Sequence, residues 1–219
     1  MSMHLLRKIL IVLATLFAIA PPHCPAAGGD DAVEIIAKLQ RKYDGLNDAT
    51  ISFTQEMQFA VTKSVQSFTG KLWMKRGNKY RIELEEQTIV TDGVSVWSLN
   101  KPNNQLFIDK FRDDPKSFSP EKVLTRLPET YTPAFVGKEK AGEDEITIVK
   151  LIPKVKQSAV KWMKVWIDTD RWLMRKVQVC DAGENLSTYQ VKEMQVNTGI
   201  PDREFTFAPP ANVEIIDLR

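Results

Sequence analysis

Residues 68–84 read Phe68-Thr69-Gly70-Lys71-Leu72-Trp73-Met74-Lys75-Arg76-Gly77-Asn78-Lys79-Tyr80-Arg81-Ile82-Glu83-Leu84, and the period of this run decides the fold. Phe68, Gly70, Leu72 and Met74 share one face, with Arg76 next in line. Tyr80, Ile82 and Leu84 then alternate with Lys79, Arg81 and Glu83. A period of two is that of a half-buried strand, and Gly77-Asn78 between the runs supplies turn chemistry. The period continues in both directions. Upstream, Ile51, Phe53, Met57 and Phe59 alternate with polar residues, and Gln55 interrupts the apolar face. Downstream, Asp92-Gly93 marks a hairpin between 88–91 and 94–99, and Pro102-Asn103-Asn104 a turn before 106–108. Strands are expected again over 131–138, 145–152, 161–168, 173–179, 187–193 and 205–207. The pattern predicts about eleven successive antiparallel strands.

Two segments break the period. Asp30-Asp31 opens a helix expected to reach about Tyr43, with Val33, Ile35, Ile36, Leu39, Tyr43 and Leu46 as its apolar stripe and Asp44-Gly45 as its stop. Ser119-Pro120-Glu121 starts a shorter helix, in which Val123, Leu124 and Leu127 follow at helical spacing and Pro128 closes the segment. Many strands with one apolar face and two amphipathic helices to cover it describe a mainly β, α+β chain. A curved sheet capped by helices either packs solid or keeps a cavity, and periodicity leaves both open.

Composition bounds the function. The chain has 219 residues, 43% of them hydrophobic and 26% charged, which is globular and excludes a disordered or collagen-like class. Arg7 and Lys8 precede the uncharged apolar run 9–20 and a breaker, Pro21-Pro22-His23-Cys24-Pro25-Ala26-Ala27, so residues 1–27 read as an export signal. Cleavage fits after Ala26 or Ala27; Ala18-x-Ala20 also fits but would put Pro21 directly after the cut. Twelve apolar residues span ~18 Å as a helix, short of the ~30 Å hydrocarbon core, which argues against a retained anchor. Lipidation at Cys24 is a further alternative, although Pro21-Pro22-His23 departs from the Leu-x-Ala/Gly-Cys type of box. Residues 28–219 then form a single domain with 28 basic and 28 acidic residues, a balance with no global pull toward nucleic acid. Trp162, Trp166 and Trp172 interleave with Lys161, Lys164 and Arg171 but are better explained by two-faced strands.

The same cut removes His4 and His23, the only histidines. No Ser-His-Asp or Cys-His arrangement remains, nor the His or clustered Cys on which zinc and non-haem iron sites lean. Neither glycine-rich phosphate-loop motif occurs. Carboxylate runs such as Asp113-Asp114 and Glu143-Asp144-Glu145 read as solvated loop charge. Cys180 alone cannot form an internal disulfide and reads as a buried thiol. No enzyme and no cofactor are expected.

The motifs Phe53-Thr54-Gln55, Gly70-Lys71-Leu72-Trp73-Met74-Lys75-Arg76, Asp92-Gly93 with Trp97, and Phe205-Thr206-Phe207-Ala208-Pro209-Pro210 with Val213 occur in the order and spacing of the LolA family, which the chain resembles over about residues 31–217. The family shows F-x-Q, G-x-L-W-x-K-R-P, D-G-x-x-x-W and F-x-F-x-P-P-x-x-V; Gly77 stands where it usually has proline. The resemblance implies an unclosed antiparallel β-barrel with a helical lid over a hydrophobic cavity. It further implies a monomeric periplasmic carrier that shields the acyl chains of lipoproteins between an inner-membrane lipoprotein-releasing ABC transporter and an outer-membrane receptor. Carriage of free lipid or glycolipid, or lipid sensing, on the same fold stays open, as, less favoured, does an enzyme. Arg76 matches the family arginine that bonds the barrel to the lid, and its place in line with Leu72 and Met74 points it inward. Leu39, Tyr43, Phe53, Phe68, Leu72, Met74, Tyr80, Ile82 and Leu84 are the expected lining of the acyl-chain cavity.

Overall fold

A computed structural model describes residues 29–112 and 126–219. The leader and most of the second expected helix lie outside these residues. Helix α1 runs Gly29–Asp44 and is followed by β1 (Asp48–Gln58), β2 (Val65–Lys75), β3 (Lys79–Leu84), β4 (Gln87–Asp92), β5 (Ser95–Asn100) and β6 (Gln105–Lys110). A single helical turn, α2 (Leu127–Thr130), leads into β7 (Tyr131–Ala141), β8 (Asp144–Pro153), β9 (Val160–Asp168), β10 (Leu173–Asp181) and β11 (Leu186–Val196). A 3-10 turn (Asp202–Phe205) and β12 (Glu214–Asp217) close the chain.

The twelve strands form one sheet in the order β12-β6-β5-β4-β3-β2-β1-β11-β10-β9-β8-β7. Two antiparallel meanders, β1–β6 and β7–β11, are joined by the pairing of β1 with β11, while β12 adds in parallel to β6. β7 and β12 end the sheet without pairing to each other, so the barrel stays unclosed. Register follows the hydrophobic alternation: Ile51 faces Leu72, Phe53 faces Gly70, and Leu72 faces Ile82. A slip of one residue would turn each set toward water, which is why the pattern specifies the pairing so strongly.

Glycine is required at two turns. Gly77 has φ +90 and Gly93 φ +91, both in the left-handed region, and a Cβ on Gly93 would press into the Gly77 carbonyl oxygen. Proline, fixed near φ −65°, cannot adopt the Gly77 conformation, so the β2–β3 turn is built differently from one with proline at that place. Asp92 completes the second turn by accepting from the N–H groups of Val94 and Ser95.

On α1 the buried stripe is Ala32, Ile36, Leu39 and Tyr43, at helical spacing. Val33, expected in that stripe, is 55% exposed; Ala32 takes the inward place. The helix lies against β7 and α2, and its stripe joins one cluster with Val149, Leu151, Met163, Val165 and Ile167 from β8 and β9. Burial of Ile36 and Leu39 contributes about 1.5–3 kcal/mol each. Gln40 ties the two helices together, its Oε1 accepting from the buried Leu127 N–H at 3.0 Å. Pro128 stands inside the first turn of α2, where its missing N–H is no loss.

The expected strand at 205–207 is not formed. Phe205 ends the 3-10 turn and is buried, and the last strand lies later, at 214–217. Pro201, Pro209 and Pro210 have no N–H for a ladder. The segment is held instead from the side. Buried Asp48 accepts from the N–H groups of Thr198, Gly199 and Ile200 and from the Thr198 hydroxyl, at 2.8–3.2 Å. Lys75 and Lys79 both reach the Asp202 carboxylate.

The tryptophans of β9 lie on the face opposite Met163, Val165 and Ile167. Lys150 and Lys164 sit over the Trp162 ring, and Lys176 over Trp166. Cys180 is buried, and that burial raises its thiol pKa.

Candidate functional site

Because α1 covers the β7–β9 side of the concave face, the β1–β4 side is left without a helix among the described residues. A cavity of about 510 Å³ lies there, in the range of small-molecule sites. Its floor is the inward face of β1, β2 and β3: Ile51, Phe53 and Met57, then Phe68 and Leu72, then Tyr80, Ile82 and Leu84. Gly70 sits in the middle of this floor. A Cβ there would lie 2.5 Å from the Phe53 ring and 2.6 Å from a Leu84 methyl, so the missing side chain lets these two groups close over the strand. Phe53 in turn meets the Tyr189 ring edge-on, with centroids 5.9 Å apart. Ile89 extends the wall on β4, and Met174, Val177, Val191 and Met194 close it on β10 and β11.

Tyr43, near the end of α1, is where the helix reaches this wall. Its hydroxyl accepts from the Met174 N–H at 3.1 Å and lies 4.0 Å from the Met194 sulfur. Burial pushes its pKa up to about 12, against a smaller lowering by the Met174 bond. Gln55 is polar but 7% exposed, and its Nε2 donates to the Tyr189 hydroxyl at 3.3 Å. Glu86 and Gln87 add the remaining polar groups at the β3–β4 end.

Seven of the nine expected lining residues are brought together: Tyr43, Phe53, Phe68, Leu72, Tyr80, Ile82 and Leu84. Leu39 and Met74 are not on the wall. Leu39 lies one turn before Tyr43 and is fully buried in the core beneath α1; Met74, near the end of β2, packs against that same core. The sequence reading missed the wall of β10 and β11. Each strand carries one extra residue there: Met174 and Lys176 pair with consecutive residues of β9, and Val191 and Glu193 with consecutive residues of β1. Such bulges reverse the alternation, so Met174 and Met194 point inward although a count of two from Lys176 or Val191 would send them out. The alternation of Tyr189 with Val191 was the one legible signal.

Arg76 departs from its expected orientation. It is exposed, in the β2–β3 turn, and does not point into the apolar interior. Its Nε donates to the Leu46 carbonyl at 2.9 Å and its Nη2 to the Asp44 carbonyl. These are carbonyls at and just beyond the C-terminus of α1, where the helix dipole is negative and a fork of N–H donors is well matched. The arginine therefore joins sheet to helix next to the three-residue link between α1 and β1.

The sequence profile described as "Outer membrane lipoprotein carrier protein LolA" matches residues 44–208, which include the whole cavity floor. The chain is 26% identical over 187 residues to an outer-membrane lipoprotein carrier protein of Histophilus somni (strain 129Pt), covering 84% of this chain and 88% of that one. It is 22% identical over 193 residues to the uncharacterized protein MJ0687 of Methanocaldococcus jannaschii, covering 85% of this chain but spanning only about half, 54%, of that relative. An uncharacterized conserved protein of Thermus thermophilus shares the fold, with a TM-score of 0.56 at 13% identity over 85% of this chain and 99% of that one. An unclosed, helix-covered antiparallel sheet and a profile match over most of its length make this chain a member of the LolA family.

Proposed function

We propose that this protein is a periplasmic carrier that takes the acyl chains of lipoproteins into the β1–β4 cavity and shuttles them from the inner to the outer membrane. The observation that carries the reading is the cavity itself, walled by apolar side chains in a chain of this family. Each methylene removed from water contributes about 0.8 kcal/mol, so a long acyl chain does not cross an aqueous space unshielded. The residues named for acyl contact are Tyr43, Phe53, Phe68, Leu72, Tyr80, Ile82 and Leu84. Export by the leader brings the chain to the periplasm, as a monomer. Loading comes from an inner-membrane ABC transporter and unloading goes to an outer-membrane receptor. Binding and release, rather than bond chemistry, is the task.

An environment-sensitive apolar dye is expected to bind the empty protein and to be displaced by acylated lipoprotein. Ile82→Glu places a carboxylate against the chains and is expected to weaken both at least about tenfold through its desolvation. Unchanged binding by a folded Ile82→Glu variant would overturn the assignment of this cavity. Mass spectrometry of material that co-purifies with the protein separates lipoprotein cargo from free lipid.

A further inference from the structure

Gln55 is anomalous in its surroundings. It is 7% exposed, faces the cavity, and pairs across the sheet with Phe68 on one side and Tyr189 on the other. One N–H of its amide goes to the Tyr189 hydroxyl. The second N–H and the carbonyl oxygen make no hydrogen bond to another described residue. These polar atoms belong to a side chain that lines the cavity, where a ligand's polar group can reach them in an otherwise apolar wall. Burial raises the Tyr189 pKa by more than a hydrogen bond with the Ser187 side chain lowers it, so the hydroxyl keeps its proton beside the amide.

The pair also has a place along the cavity. Gln55, Tyr189, Glu86 and Gln87 lie toward the end marked by Met57 and Phe68, whereas Ile51, Leu72 and Met194 line the other. Gln55 lies four positions along β1 from Ile51, ~13 Å along the strand. At the far end Tyr43 is polar as well, but its hydroxyl is already engaged by the Met174 N–H. Apart from Tyr43 and Tyr80 the lining at that end is apolar, whereas the Gln55 amide and the Tyr189 hydroxyl stand together at the other.

We propose that Gln55 and Tyr189 form a carbonyl-reading site, which takes the ester or amide carbonyl at the head of an acyl chain while its tail runs toward Tyr43. The second Gln55 N–H and the Tyr189 O–H donate to the carbonyl oxygen. The site thereby selects acyl chains over plain alkyl chains and sets how deep they enter. It rests on the carrier reading above.

The test compares two diacyl lipopeptides of equal chain length, one with ester-linked chains and one with ether-linked chains that lack the carbonyls. Each is titrated against the mature protein by displacement of the apolar dye. The ester form is expected to bind about fivefold to tenfold more tightly, the worth of one good hydrogen bond. Gln55→Leu is expected to abolish the preference while keeping the ether affinity, and Tyr189→Phe to reduce it. Equal affinity of the unaltered protein for the two lipids would overturn the site and leave the carrier reading standing. Displacement by neither lipid would overturn both. The ester–ether comparison on unaltered protein needs no variant, so misfolding of Gln55→Leu does not remove the test.

Discussion

Arg76 shows how a single side chain can serve a role from an unexpected position. The guanidinium bonds the Asp44 and Leu46 carbonyls from outside, beside the junction of α1 with β1. The bonds hold the turn after β2 to the C-terminus of α1, and we propose that in the carrier reading they fix the angle of that helix. Arg76→Leu removes charge-assisted bonds worth about 1.5–3 kcal/mol each when shielded and less at an exposed site. We predict faster amide exchange in the last turn of α1, uptake of lipoprotein that persists, and hand-over to a receptor that falls. Arg76→Lys is expected to be intermediate, since one ammonium cannot reproduce the fork. Transfer of a labelled lipoprotein measures this. Normal transfer by a folded Leu variant would remove the role.

Among the elements, β2 is the one on which the cavity depends most locally. Its alternation, Phe68-x-Gly70-x-Leu72, leaves a gap at the centre that Phe53 and Leu84 fill from β1 and β3. Gly70→Ala forces both groups off the strand and into the void, since no real Cβ sits 2.5 Å from a ring carbon. The expected result is a smaller cavity, dye affinity reduced severalfold, and a loss of about 1–3 kcal/mol in stability from overpacking. Urea unfolding and dye titration of the same variant separate the two effects. Unaltered dye binding would mean that the floor at Gly70 is not part of the occupied space. The helix α1 works differently: Leu39 is committed to the core and only Tyr43, one turn on, reaches the cavity. One amphipathic stripe therefore serves packing and lining in succession.

At the scale of the molecule, three tyrosines are held neutral by burial, Tyr43 at a pKa of about 12 and Tyr131 and Tyr189 raised in the same direction. A raised folded-state pKa means that the unfolded chain loses its protons first as pH rises. The contribution is complete below about pH 10 and is lost as pH climbs through the folded value. A two-unit difference at Tyr43 corresponds to about 3 kcal/mol over that window. Urea midpoints are predicted to fall steeply between about pH 10 and pH 12. Tyr43→Phe, which leaves the Met174 N–H without its acceptor, is expected to be less stable at neutral pH but flatter across this window. An equally steep fall in the variant would assign the alkaline transition to other groups.

The sequence by itself determined the strands from 51 to 108 and from 131 to 193, the long first helix and the glycine turns at 77 and 93. Each rests on a period or a backbone requirement contained within a few neighbouring residues. It also carried most of the cavity floor, because β1, β2 and β3 follow one another through short turns and their inward faces stay in phase. Only the tertiary structure decided the rest. Gln55 meets Tyr189 across 134 residues of chain, and the wall of β10 and β11 exists through that long-range pairing and through bulges that reverse its phase. It decided that 205–207 packs as the end of a 3-10 turn and that Arg76 reaches α1 from the solvent side. Whether an apolar face becomes core or cavity depends on which part of it a helix covers, and α1 settles that by lying against β7, the end strand, seven strands away from β3.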